Sequence, residues 1–318
     1  MKATEDDVRH AYRLLLGREP DAAGMATYSR MLQAGGVTPT DLTAIFMGSS
    51  EFVARVGGDP DCVEVEFHGY HMYVRTDDLD LGVTVRQGTY EPHVTAAVRE
   101  CLYPGASFID IGANIGYYTA LAAHLVGSSG SVFAVEPMDK NVQLIYRTVW
   151  KNRFRQVQVF PFAASDATQL LPMATTARSS NGEVLPLDTR RIPSLFAQGR
   201  AVDDLLSGLP RLDLVKLDIE GHEPHAWRGF VHTLEQHRPV VLSEFHPKCL
   251  RDNGKVDPSD YLAVLFAYGS VVEVLVDAST RVRCDTPAQV MQHWAQVDRR
   301  SGDRGETHLD LLIRPRLA

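Results

Sequence analysis

Two apolar runs each end in a burst of groups that can bind or move a proton. Leu212-Asp213-Leu214-Val215-Lys216-Leu217 gives way to Asp218-Ile219-Glu220-Gly221-His222-Glu223, and Pro239 to Ser243 gives way to Glu244-Phe245-His246-Pro247. Imidazole changes charge near neutral pH and carboxylates orient it or take protons themselves, so Asp218, His222, Glu244 and His246 are the candidate catalytic residues. Glu220 alternates with Asp218 to one side of the predicted strand and can share its site. Taken singly, each has an ordinary alternative as a cap, an ion pair or a satisfied polar contact. Parallel sheets gather ligands at the carboxyl ends of their strands, where both bursts fall.

A third stretch is built to hold a ligand. Ser107 to Ala123 reads as a buried strand (Phe108 to Ile111), a tight turn (Gly112 to Gly116) and the opening of a helix (Tyr117 to Ala123). Gly112 permits backbone angles closed to other residues, and Gly116 lets the helix pack closely while its free N–H groups face the ligand. Asn114 stands where a dinucleotide fold has its middle glycine, which favours a ligand without a pyrophosphate. Glu136 lies twenty positions beyond Gly116, at the end of the apolar strand Ser131 to Val135, where a carboxylate can accept hydrogen bonds from both ribose hydroxyls. A turn with no ligand and a chance acid is the plain alternative.

The remaining elements must position these three places. Val8, Ala11, Tyr12, Leu15 and Leu16 repeat at helical spacing, Gly17 closes that helix, and Thr38-Pro39-x-Asp41 starts another, so residues 4–57 read as a small helical bundle. Gly57-Gly58-Asp59-Pro60 reads as a linker, and the alternation across His68-Gly69 as a β-hairpin. Glu91 precedes a helix opened by Pro92 and His93, where an acid suits the helix dipole. A helix is expected over 140–151, a strand over 157–162, a long irregular segment over 172–199 and a short helix over 201–206. Further on, helices over 258–268 and 288–299 alternate with strands over 271–276 and 308–313. Arg178, Arg190 and Arg191 in the irregular segment are solvated or bind an anionic group.

The 318 residues suffice for one large α/β domain and a small accessory unit. A hydrophobic content of 44% and a charged content of 23% are those of a soluble globular protein. The formal net charge of -8 argues against a long nucleic-acid substrate, and the basic cluster Lys140, Arg147, Lys151, Arg153 and Arg155 reads as a solvated helix face. No long apolar run or signal-peptide core occurs, so a cytoplasmic protein with no transmembrane segment is expected. The four cysteines are widely spaced and read as reduced thiols.

DIGANIGYYT (from Asp110), AVEP (to Pro137), VKLDIEGHE (from Val215) and RPVVLSEFHP (to Pro247) occur in this order, and together they resemble the FkbM-type family of S-adenosylmethionine-dependent methyltransferases. The resemblance implies a class I methyltransferase fold: α/β, Rossmann-like, with a seven-stranded sheet whose last strand is antiparallel. It also implies that Asp110, Gly112, Asn114 and Gly116 hold the amino acid end of S-adenosylmethionine and that Glu136 holds its ribose. Tyr90 and Glu91 are candidates to face the donor's cationic amino acid moiety, and Asp166 falls where methyltransferases hold the adenine edge, though it can equally cap a turn. The family's usual small residue before the last glutamate of the third motif is here His222, an added candidate base. LLGREPDAAGMATYSRML with FMGSSEF resembles a helical module often attached to glycan-related proteins, which divides the chain into a helical accessory module (1–57) and a methyltransferase domain (58–318). That module either recruits a partner or caps the catalytic domain.

The activity expected from the resemblance is O-methylation of a hydroxyl on a sugar, glycoconjugate or glycosylated natural product, with a polyketide hydroxyl as the alternative. An alcohol must lose its proton as it attacks, either to His222 or His246 oriented by Asp218 or Glu244, or through Mg²⁺ held by Asp218 and Glu244 against a diol. Both routes stay open. The expected partner is a small-molecule or glycan acceptor, with no nucleic acid; association into a homo-oligomer is left open. A glycan-binding protein that keeps the fold without turnover is the non-enzymatic rival, and an NAD-dependent dehydrogenase is disfavoured by Asn114.

Overall fold

A strand such as Phe108–Ile111, with no polar alternation, can be buried only inside a sheet covered by helices on both faces. The computed structural model, which describes residues 2–58, 61–67, 69–187, 190–206 and 208–316, supplies that setting. Four helices come first, α1 (Glu5–Leu16), α2 (Ala22–Ala34), α3 (Pro39–Met47) and α4 (Ser50–Gly58), then the hairpin β1 (Cys62–Phe67) and β2 (Tyr70–Arg75). Helices α5 (Leu81–Arg86) and α6 (Pro92–Cys101) lead into β3 (Ser107–Ile111), α7 (Tyr117–Val126), β4 (Ser131–Val135), α8 (Asp139–Asn152) and β5 (Val157–Phe160). The short strands β6 (Ala163–Ala164), β7 (Gln169–Thr175), β8 (Gly182–Val184) and β9 (Leu195–Arg200) follow. The second half runs β10 (Leu214–Leu217), α9 (Glu223–Arg228), α10 (Val231–His237), β11 (Val240–Phe245), α11 (Pro247–Asp252) and α12 (Pro258–Tyr268). It ends with β12 (Gly269–Leu275), β13 (Arg281–Cys284), α13 (Pro287–Ser301) and β14 (Leu309–Pro315).

The main sheet has the order β13-β12-β14-β11-β10-β3-β4-β5. Strands β5, β4, β3, β10 and β11 pair in parallel, and β14 runs antiparallel between β11 and β12. The expected seven strands with an antiparallel last strand are all there, and β13 adds an eighth at the edge through its hairpin with β12. From β3 the chain winds outward to β4 and β5, then returns to β10 on the other side. A crevice opens at such a reversal, above the carboxyl ends of β3 and β10.

The segment 172–199 is not irregular throughout: parts of β7 and β9 and all of β8 fall in it, and these strands join β6 in a four-stranded sheet beside the crevice, with turns and loops between them. β8 is the hairpin partner of β7, while β9 reaches back over the intervening loop to pair with β7 and β6. The stretch 201–206 forms turns, not a helix. Gly57 and Gly58 belong to α4 rather than to a linker, while Asp59, Pro60 and His68 lie outside the described residues. In the basic cluster, Arg147 is buried and Lys151 pairs with Glu64 at 2.7 Å, so that face is only partly solvated.

The N-terminal helices start and stop as their caps dictate. Thr4 with Asp7 and Thr38 with Asp41 form reciprocal capping boxes, and Gly17 ends α1 in the left-handed conformation. Tyr28 stacks on Phe46 with ring centroids 4.5 Å apart, and Phe52 meets Trp150 of α8 edge-on at 6.3 Å. One apolar core runs from Val8 through these rings to Phe108 and Leu121. Among the described residues no helix is long and apolar enough to cross a membrane.

The turn after β3 is tightly packed. Gly112 has φ +83°, and a Cβ there would lie 1.9 Å from the carbonyl oxygen of Asp218. The loops after β3 and β10 therefore touch backbone to backbone. Gly112→Ala is expected to destabilise the protein by about 1–3 kcal/mol or more, read as a lower midpoint in chemical denaturation.

Candidate active site

The crevice is a cavity of about 340 Å³ bounded by the ends of β3, β4, β10 and β11. Gly112, Asn114, Glu136, Met138 and Asn141 line one part of it, with Ala163, Ala164, Met173 and Gly182 from the four-stranded sheet. Tyr90, Glu91, Lys216, Asp218, Glu220, His222, Glu244, His246 and His308 line the rest. The turn and both proton-moving bursts thus meet in one place, as their positions at strand ends require.

Glu136 is the fixed point of the first part. Its Oε2 accepts the Asn114 N–H at 2.8 Å, and its Oε1 accepts the Met138 N–H at 2.9 Å and the Asn141 amide at 3.2 Å. Burial outweighs these donors and pushes its pKa up to about 7. Asn114 holds φ +51° and donates to Asn181 Oδ1 at 2.7 Å, while its own Oδ1 is buried with no partner among the described residues. Asn181 in turn donates to Asp80 at 3.2 Å, so the loop between β7 and β8 roofs the turn. A carboxylate at the ribose position, an unpaired amide oxygen and a glycine cradle fit a nucleoside-bearing donor such as S-adenosylmethionine.

Two residues expected to touch the donor stand behind it instead. Asp110 is wholly buried in β3, pairs in register with Lys216 and accepts from the Thr119 hydroxyl at 2.7 Å. Gly116 is packed on Ile145, leaving no room for a side chain. Neither lines the cavity. Asp166 is also outside it: Arg228 takes its carboxylate at 2.9 Å and His225 at 3.3 Å. Burial alone would raise the Asp166 pKa, but these partners hold it below the usual range. Tyr90 and Glu91 do face the cavity, and Glu91, at φ +36°, accepts from the Tyr118 hydroxyl at 2.7 Å.

Lys216 organises the second part. Its ammonium is buried, lies 2.6 Å from Asp218 Oδ2 and sits 4.8 Å above the centre of the Tyr118 ring. Burial acts to lower the Lys216 pKa, but Asp218, Glu91 and Asp110 outweigh it and keep the lysine charged. Burial acts to raise the Asp218 pKa, and Lys216 more than reverses it. Glu244 goes the other way, because burial and then Asp218, Glu220, Glu223 and Asp310 push its pKa well up. Its Oε2 is buried with no donor, and the group within hydrogen-bond reach is the Asp218 carboxylate, another acceptor. Two such acceptors side by side repel when both are ionised, and Glu244, whose pKa is raised, is the one that takes up a proton more readily.

The imidazoles are less ready to act. His222 has Nε2 3.1 Å from the Ser165 hydroxyl and stacks on His225 with centroids 4.5 Å apart, and burial above all drives its pKa down to about 3. His246 Nδ1 accepts the Cys249 N–H at 3.5 Å as the cap of α11, and burial lowers its pKa. Glu223 Oε1 accepts the N–H groups of Ile219 and Gly221 at 2.9 and 3.2 Å, which fixes the loop and not the chemistry. Lys216, His308, Asn181 and the His93–Asp310 pair, 2.7 Å apart, were not singled out from the sequence. Of these only Lys216 carried a signal, its alternation with Asp218.

The donor set does not fit Mg²⁺. Among the described residues no group of three or more His, Cys, Asp or Glu is placed to hold a metal ion. At Asp218 the neighbouring cation is the Lys216 ammonium, and Mg²⁺ demands an octahedron of oxygens.

Comparison with known proteins places these features. Residues 2–56 match a domain of unknown function (DUF4214). A stretch of 85 residues is 31% identical to a protein-L-isoaspartate O-methyltransferase of Methanothrix thermoacetophila, covering 26% of this chain and only 40% of that relative's length. Among solved structures, methyltransferase FkbM from Methylobacillus flagellatus KT aligns with TM-score 0.40 and 18% identity over 96% of this chain and 60% of that one. An rRNA methylase from Streptococcus thermophilus aligns with TM-score 0.38 and 9% identity over 72% of this chain and 98% of that one. The model of the methyltransferase FkbM domain matches residues 110–272, just over half of the chain and through all four strand ends that bound the cavity, and this chain belongs to the FkbM methyltransferase family.

Proposed function

We propose that the chain is an S-adenosylmethionine-dependent O-methyltransferase whose acceptor is a hydroxyl of a sugar, glycoconjugate or glycosylated natural product. The observation that carries this reading is the single cavity in which the Glu136 turn meets the Asp218–Glu244 carboxyl pair. When bound, S-adenosylmethionine supplies an electrophilic methyl group on a sulfonium. Glu136, Asn114 and the main chain of 112–114 would hold its nucleoside, with Tyr90 and Glu91 toward its amino acid end.

The chain's own groups then handle the proton. As the acceptor oxygen gains the methyl group it releases its hydrogen, and a carboxylate of the Asp218–Glu244 pair receives it. Glu244 suits this work because its raised pKa makes the ionised form a strong base, whereas burial weakens His222 and His246 as bases and the Cys249 N–H takes the His246 Nδ1 lone pair. Lys216 keeps Asp218 charged, and that charge is part of what raises the Glu244 pKa, so Glu244 acts as the base once it has given up its own proton. A polyketide hydroxyl would be handled by the same groups, and turnover separates both from a glycan-binding protein without activity. The division into a helical unit (1–57) and a catalytic domain (58–318) is part of the proposal. The Phe52–Trp150 contact supports the helical unit as a cap on the catalytic domain.

Glu136→Ala is expected to weaken S-adenosylhomocysteine binding by about tenfold or more, measured by calorimetry. Glu244→Gln should lower turnover by about 10²–10⁴-fold while leaving that binding in place, in an assay of tritiated methyl transfer to a panel of glycans and secondary metabolites. His222→Ala should cost far less; the reverse ranking would move the base to the imidazole. Because the base works ionised and its pKa is raised, activity should fall as pH is lowered through a value nearer neutrality than an ordinary carboxylate's, and Glu244→Gln should abolish that limb of the pH–rate profile.

A further inference from the structure

We propose that the acceptor enters carrying a cationic amino group, as an amino-bearing polyol such as an aminodeoxy sugar. This rests on the reading of the cavity as an acceptor site and narrows the chemical class it takes.

The walls of the cavity carry Asp80, Glu91, Asp218, Glu220 and Glu244 in addition to Glu136, against one lysine and no arginine. Lys216 is already engaged by Asp218 at 2.6 Å. The three loop arginines read as solvated or anion-binding, Arg178, Arg190 and Arg191, do not line the cavity, and Arg191 pairs with Glu183. An anionic acceptor would therefore meet like charge with no guanidinium fork to receive it.

A second observation asks for a donor. Glu244 is only 9% exposed and lines the cavity, yet its Oε2 has no hydrogen-bond donor among the described residues. A hydroxyl offers one hydrogen, whereas an ammonium offers three and a charge, enough to serve Glu244 and a second carboxylate such as Glu220 together. Glu220 is held at φ +57° at the cavity wall, and burial with its acidic neighbours pushes its pKa up to about 8. With a neutral acceptor these groups must hold protons to share the space; a cation among them lets them ionise.

The test uses the full chain saturated with S-adenosylhomocysteine and ligand-observed NMR titration. The probes are the methyl glycosides of glucosamine and galactosamine, of glucose and galactose, and of glucuronic and galacturonic acid. The better amino glycoside should bind about tenfold or more tightly than its neutral counterpart, and the uronic acids more weakly than either. Glu220→Gln should cut the amino preference to about threefold or less. Equal or tighter binding of neutral or anionic sugars, or no binding of either amino glycoside, overturns the inference. Product analysis with labelled donor separates the two readings. A methyl group found on nitrogen refutes the hydroxyl acceptor and leaves the cationic class standing, and O-methylation of neutral sugars with no amino preference does the opposite.

Discussion

A single buried ammonium, that of Lys216, holds together a site that is otherwise a crowd of acids. Its ion pair with Asp218 at 2.6 Å is out of bulk water, with the lysine side chain only 5% exposed. Such a pair contributes little net stability, because removing both charges from water offsets their attraction, but losing one partner leaves an uncompensated charge and typically costs about 3–5 kcal/mol. Its value is in arrangement. It holds Asp218 ionised, and through Asp218 it leaves the neighbouring Glu244 as the group that keeps a proton. Two carboxyl groups of the same chemistry thereby acquire different roles from their surroundings.

The backbone around this pair is held in uncommon conformations. Glu91, Asn114 and Glu220, at φ +36°, +51° and +57°, are non-glycine residues in the left-handed region, and all three line the cavity. Each such residue costs about 1–3 kcal/mol and persists only where its neighbours over-determine it. Tyr118 ties the Glu91 side chain, Glu136 and Asn181 tie Asn114, and Asn253 donates to the Glu220 carbonyl at 2.9 Å. Glu223 closes the loop by taking the N–H groups on either side of Glu220. The cavity walls are therefore held by the protein's own hydrogen bonds.

The periphery completes the enclosure without supplying chemistry. The small sheet of β6 to β9 reaches over the Gly112–Gly116 turn through Asn181 and Ser180, whose carbonyl takes the Asn141 amide at 2.9 Å. On the other side, α1 to α4 extend the apolar layer outside α7 and α8, so the N-terminal helices share a core with the catalytic sheet.

What the residues declared alone was local. The strand, turn and helix around Gly112, the acid at Glu136, the caps at Thr4 and Thr38 and the helix Pro258–Tyr268 rest on periods and contacts within a few positions, which a sequence displays directly. Folding decided everything that depends on a distant neighbour. Lys216 becomes a buried cation only because β10 pairs with β3 and lays it beside Asp110. Asp166 leaves the cavity because Arg228, on α9, captures it, and His222 loses its basicity because it is sealed against Ser165 and His225. Among the described residues the four strands over 163–200 pair only with one another, over loops that carry no period. Residue type fixes which charges a side chain can carry; the charge it does carry follows from water excluded and partners brought up by the fold, and those come from remote parts of the chain.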